Sequence, residues 1–114
     1  MSHIVNGIEL PACAIGTWGW GEGINGSNMI LGTKSSKDEL FNTYKAAVAQ
    51  GLTLFDTAAV YGLGTSETLL GEFIKNNDSI LISTKYTPEK SENADRIEKS
   101  LNGSLARLEK KYVD

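Results

Sequence analysis

The sequence predicts an α/β protein built on a parallel sheet. Three short apolar runs carry this reading, at Ala12–Thr17, Leu52–Phe55 and Ile80–Thr84. Each is followed by a loop and then by a segment whose apolar residues recur at helical spacing. Strict alternation of strand and helix brings successive strands into one parallel sheet, with crossovers of right-handed sense.

Ahead of these units, His3-Ile4-Val5 and Ile8-Glu9-Leu10 flank Asn6-Gly7. Asn-Gly tolerates the two positive φ angles of a type I′ turn, so this is a β-hairpin signal, and Pro11 ends it. Trp18 to Thr33 is rich in glycine, lacks periodicity and reads as a long loop. Ser35 or Ser36 can open the first helix, each with an acid three residues on, Asp38 and Glu39. Leu40, Phe41, Tyr44, Ala47 and Val48 share its apolar face, and Gly51 suits the left-handed residue that closes it.

The second strand delivers Asp56 at its C-terminal end. A loop with Tyr61, Gly62 and Gly64 follows. Thr65 or Ser66 can cap the next helix, which turns Leu69, Leu70, Phe73 and Ile74 inward until Asn76-Asn77-Asp78 breaks it. The third strand ends in Lys85. After a polar loop from Thr87, Asn93 caps a third helix with a stripe of Ile97, Leu101, Leu105 and Leu108. Gly103 inside that helix costs about 1 kcal/mol relative to alanine. Tyr112-Val113 reads as the start of a fourth strand. The mixed charges from Arg96 to Lys111 most simply form the wet face of the third helix.

Three strands, each with its helix, leave sheet edges and an apolar face in water. The units recur roughly every 30 to 40 residues, so eight would need about 300, a usual length for a closed barrel. Residues 1–114 are therefore expected to be a single incomplete domain: the N-terminal part of a (β/α)8 barrel, comprising the hairpin, three βα units and the start of strand four. Such a piece should be marginally stable or self-associating. The alternative is a small three-layer α/β domain that ends naturally.

Composition narrows function. With 40% hydrophobic and 22% charged residues the chain is ordinary for a globular protein. A net charge of −3 argues against a nucleic-acid partner. There is no signal-peptide pattern and no run of about 18 apolar residues, so no membrane association is expected, and a reducing cytoplasmic setting is the default. Cys13 is the only cysteine and His3 the only histidine, which excludes an intrachain disulfide and a multi-cysteine zinc site. Cys13, in a strand of small residues, reads as a buried filler rather than a nucleophile. Gly19-Trp20-Gly21-Glu22-Gly23 lacks the strand–turn–helix setting of a dinucleotide fingerprint and reads as a flexible rim loop.

In a βα barrel the active site forms at the C-terminal ends of the strands. Asp56 and Lys85 stand at two such ends, and Tyr61 lies in the loop after Asp56. Singly, each is more simply a cap or a solvated charge. Together they form a chemical set. A phenol of pKa about 10 is a weak acid at neutral pH, and a neighbouring ammonium makes it a stronger one. A carboxylate keeps the ammonium charged and aimed. The phenol can then protonate a developing alkoxide while a hydride arrives from elsewhere.

Phe55-Asp56-Thr57-Ala58-Ala59-Val60-Tyr61-Gly62, with Ser66-Glu67 and Leu70-Gly71, resembles the signature of the aldo-keto reductase family. Gly16-Thr17-Trp18 resembles its first-strand motif and Ile82-Ser83-Thr84-Lys85-Tyr86 its third. Ser104-Leu105-Ala106-Arg107-Leu108 and Tyr112-Val113-Asp114 are similar to its third helix and the entry to its fourth strand. The resemblance implies an NADPH-dependent oxidoreductase that reduces aldehydes or ketones to alcohols. It makes Tyr61 the general acid, Lys85 its activator and Asp56 the holder of Lys85. It places Gly16, Thr17, Trp18 and Asp56 near the nicotinamide. Trp18 could also wall the substrate pocket or simply pack. Glu67 reads as a helix-start acid favoured by the dipole.

The family's fourth catalytic residue, a histidine at the end of strand four, has no counterpart here, since the matching stretch stops at Asp114 and His3 is misplaced for the role. The loops that grip the rest of the cofactor are also outside the match. The activity is thus expected of a longer parent, with this chain alone inactive. The alternative is a non-catalytic regulatory or remnant barrel.

Overall fold

The computed structural model describes residues 3–23, 26, 32, 35–88 and 93–114. A hairpin of β1 (His3–Val5) and β2 (Ile8–Leu10) comes first. Asn6 and Gly7 at its tip have φ of 50° and 79°, the two positive values that the turn requires. The main sheet contains β3 (Ile15–Gly16), β4 (Leu54–Asp56) and β5 (Leu81–Ser83), parallel and in sequence order. Helices α1 (Lys37–Ala49), α2 (Thr65–Phe73) and α3 (Ala94–Leu108) follow them in turn. The sheet is open, so it is an α/β arrangement without barrel closure among the described residues. No described helix is long and apolar enough to cross a membrane.

The sheet has two unlike faces. Phe55 and Ile82 are fully buried beneath the helices, where Leu70, Ile80 and Leu108 join them. An aromatic cluster fills the space towards α1: Tyr44 lies 5.4 Å from Phe55, Trp20 5.9 Å from Phe55, and Phe41 5.1 Å from Phe73, all between ring centroids. On the opposite face, Leu54, Asp56, Leu81 and Ser83 are only half-buried. Period-two alternation thus sends the core to one side and Asp56 to the other.

Several local expectations are corrected. The first strand is shorter than Ala12–Thr17, because pairing with β4 begins only at Ile15. Cys13 consequently stands outside the ladder and is exposed, not buried. Helix α1 is capped by Ser36, whose hydroxyl accepts from the Glu39 N–H at 3.2 Å. Gly51, at φ 79°, follows the helix as expected. Helix α2 is preceded by Gly64 rather than capped by Thr65 or Ser66, and this frees both hydroxyls for contacts with other loops. Asn93 is the N-cap residue of α3 but makes no capping bond with its side chain. Of the α3 stripe, Leu108 is buried and Leu105 half-buried, while Ile97 and Leu101 are exposed, since only the C-terminal half of the helix packs on α2. Tyr112-Val113 is not a strand, although the Asp114 N–H donates to the Ile82 carbonyl at 3.0 Å alongside β5. Trp18–Trp20 forms a 3₁₀ turn, and residues 24–25, 27–31 and 33 of the loop expected up to Thr33 lie outside the described residues.

Helices α2 and α3 meet at Gly71. A Cβ there would lie 2.5 Å from the Arg107 carbonyl oxygen and 2.9 Å from Leu108 backbone atoms. We expect Gly71→Ala to destabilise the fold by roughly 2 kcal/mol, the upper range of overpacking less the gain of about 1 from alanine's helix preference. A urea midpoint at or above that of the parent would contradict this.

Candidate active site

The strand register builds the site. Gly16 pairs with Asp56, and Asp56 with Ser83, so three strand ends stand in one row. The ladder continues past them: the Thr17 N–H donates to the Asp56 carbonyl at 3.0 Å, Thr57 N–H to Ser83 at 2.8 Å and Ala59 N–H to Lys85 at 3.3 Å. Asp56 and Lys85 are thereby set side by side from positions 29 residues apart in sequence.

Tyr61 is delivered by a bend of unusual backbone. Gly62, Leu63 and Gly64 have φ of 59°, 52° and 97°, three successive left-handed residues. The bend is pressed against the loop after β3: a Cβ on Gly62 would lie 2.7 Å from the Glu22 nitrogen, and one on Gly21 2.9 Å from the Gly62 nitrogen. Only glycine permits this approach. The Thr65 hydroxyl joins the two loops, accepting from the Glu22 N–H at 2.8 Å and facing the Gly62 carbonyl at 3.0 Å. Gly19 to Gly23 is therefore not a loose rim loop: its Gly21 and Glu22 are packed against the bend that carries Tyr61.

The three candidate residues come together. Lys85 Nζ donates to Asp56 Oδ2 at 2.7 Å, to the Thr57 carbonyl at 3.0 Å and to Tyr61 Oη at 3.4 Å. An ammonium has three N–H bonds, and each has a partner here. Burial opposes the charge on Lys85 most strongly, yet its bonds to Asp56 and then Tyr61, with the electrostatic pull of the same groups, outweigh it and hold its pKa above the 10.5 of a free lysine. The Asp56 and Lys85 side chains are 32% and 48% exposed, so their pairing adds at most about 1 kcal/mol to stability. Its consequence is orientation.

The other candidates divide. Trp18 is exposed, with its ring 6.4 Å from that of Tyr61. Gly16 is exposed at the strand end, with open space where a Cβ would stand. Thr17 is fully buried, and its hydroxyl is 3.1 Å from the Asp56 carbonyl that its own N–H also meets. Trp20 is a core residue.

Sequence reading missed the layer beneath. Ser66 is fully buried and its hydroxyl donates to the Thr17 carbonyl at 2.7 Å, with the Thr57 hydroxyl 3.3 Å away. Glu67 is fully buried as well, bonded to Thr84 and Arg107 at 2.7 Å each. It stands in the first turn of α2, as expected of a helix-start acid, and is in addition buried and paired. The signal was available: Ser66 and Glu67 fall on the inward stripe with Leu70, Phe73 and Ile74, where a polar group must find partners.

The chain matches the model of the aldo/keto reductase family over residues 13–114. It is 34% identical over 118 aligned residues to the aldo-keto reductase YhdN of Bacillus subtilis, covering 95% of this chain and 34% of that protein. It superposes on the thermostable aldo-keto reductase Tm1743, crystallised with the inhibitor epalrestat, with a TM-score of 0.80 and 32% identity over 100% of this chain and 40% of the other. An aldo-keto reductase of Klebsiella pneumoniae, crystallised with NADP and acetate, gives a TM-score of 0.74 at 27% identity over 93% of this chain and 34% of the other. The chain thus spans about a third of the length of YhdN. Strand register, site and similarity agree, and the chain belongs to the aldo-keto reductase family of oxidoreductases.

Proposed function

We propose that the full-length protein reduces aldehydes or ketones to alcohols with NADPH. These 114 residues then form the N-terminal part of its (β/α)8 barrel. The observation that carries the reading is a single ammonium bonded at once to a carboxylate and a phenol, at the C-terminal ends of parallel strands. These groups can move a proton but hold no hydride, so the reductant must be a bound molecule. The open strand end at Gly16, the exposed Trp18 and the half-exposed Asp56 fit the nicotinamide end of such a cofactor. Gly16, Trp18 and Asp56 would hold it, with Thr17 fixing Asp56 from below. When bound, the cofactor supplies the hydride.

The chain's own residues handle the proton. The Tyr61 hydroxyl donates to the oxygen of the developing alkoxide. Lys85 stabilises the phenolate that remains, because its charge lies 3.4 Å from that oxygen. Asp56 holds Lys85 in place and charged. The face that bears Asp56 is half-exposed, so the 114-residue chain alone does not exclude water from the site and is not expected to turn over. A steady NADPH-dependent rate from the pure chain would overturn that expectation.

The reading is tested on the full-length protein with a panel of aldehydes and ketones, following NADPH consumption. We expect reduction, and a fall in kcat of roughly 10²- to 10⁴-fold for Tyr61→Phe, as for loss of a general acid. No turnover by the parent would favour the alternative, a non-catalytic barrel.

Lys85 also makes a pH prediction. Its folded pKa is raised, so its charge stabilises the fold below the unfolded value of 10.5 and that stabilisation is lost as pH rises through the folded value. The stability gap between parent and Lys85→Met, read from urea midpoints, should be flat between roughly pH 7 and 9.5 and should close at higher pH. A gap that closes near neutrality would contradict the pairing.

A further inference from the structure

The most deeply buried charge in the described chain lies one layer below the Asp56–Tyr61–Lys85 set. Glu67, in the first turn of α2, is fully buried. A buried carboxylate costs several kcal/mol unless it is paired and fully hydrogen-bonded. Its Oε2 accepts from Arg107 Nε at 2.7 Å, and Arg107 Nη2 also donates to Ser104 Oγ at 3.3 Å. Glycines keep the channel for this arginine: a Cβ on Gly64 would lie 2.6 Å from its Cδ, and one on Gly103 3.2 Å from its Nη1.

Neutralising Glu67 requires only Arg107. The second oxygen has a different partner: Oε1 accepts from the Thr84 hydroxyl at 2.7 Å. Thr84 is the residue between the last residue of β5 and Lys85. Its side chain reaches the helix layer, while that of Lys85 reaches Asp56 on the other side. Fixing one residue of an extended segment sets the direction of the next, because successive side chains point to opposite faces. A hydrogen bond to a charged acceptor is about twice as strong as a neutral one, which suits Glu67 to this task.

We propose that Glu67, acting through Thr84, is a positioning residue that aims Lys85 at Asp56 and Tyr61; the proposal rests on the catalytic reading given above. Neither Glu67 nor Thr84 touches a reacting group. Their effect is carried by the direction in which the Lys85 side chain leaves the strand.

The test uses the full-length protein and two substitutions. Thr84→Val keeps the shape and removes the hydroxyl, and Thr84→Ser restores the hydroxyl. Two quantities are measured: kcat with KM for the carbonyl and the cofactor, and the titration of Lys85 followed by NMR at its ε-carbon. For Thr84→Val we expect kcat to fall roughly 10- to 100-fold, the scale of a small misplacement of a catalytic group, with KM for the cofactor unchanged. The Lys85 titration should move back towards 10.5, and Thr84→Ser should recover both. A Thr84→Val protein that melts earlier but keeps the parental kcat and Lys85 titration would show that Glu67 only holds the helices together, and would overturn the proposal. If the parent reduces no carbonyl, the functional reading fails by itself, while the Lys85 titration still decides the positioning role without turnover.

Discussion

The parallel register of three very short strands governs this structure. Pairing Gly16 with Asp56 and Asp56 with Ser83 leaves a single row of strand ends, and every candidate group is placed relative to that row. Each strand contributes at most three residues, so there is little ladder to resist a slip. A shift by one residue would send Phe55 and Ile82 into water and turn Asp56 into the helix layer. The burial of those two apolar side chains is therefore what locates the carboxylate. Core packing and site geometry are two results of one alternation.

Beneath the row lies a polar layer that is costly to build and fully used. Thr17, Thr57, Ser66 and Glu67 are all inaccessible to solvent. Adjacent residues of α2 divide the work: Ser66 reaches the end of β3, and Glu67 reaches the residue after β5. A buried network of this kind specifies one arrangement, since any other leaves a charge or hydroxyl unpaired. One helical turn thereby ties down strand ends on both sides of Asp56.

Much of this was legible in the sequence, because Asp56, Tyr61 and Lys85 sit directly at the ends of apolar runs and the strand-end rule for parallel sheets needs only local information. The helices were equally plain, since their apolar periodicity is long and Ser36 and Gly51 mark the ends of the first. What escaped depends on pairing across distance. Glu67 and Arg107 lie 40 residues apart, and no spacing rule joins them. Ile97 and Leu101 have the same helical period as Leu108, yet only packing against α2 decides which part of the stripe is covered. Cys13 followed the expected strand, and once the strand began later it lost its cover. The resemblance to a family and the bottom-up reading met on the same three residues, whereas the supporting layer was visible to neither as a network.

The left-handed run at Gly62–Gly64 has a consequence for the rim. Leu63 adopts this conformation despite its Cβ, which disfavours it by about 1 to 2 kcal/mol. The run persists because Thr65 and the loop at Glu22 hold it from both sides. The segment from Thr17 to Glu22 and the segment carrying Tyr61 are therefore joined into one lip beside the strand ends, and a change in either is felt by both.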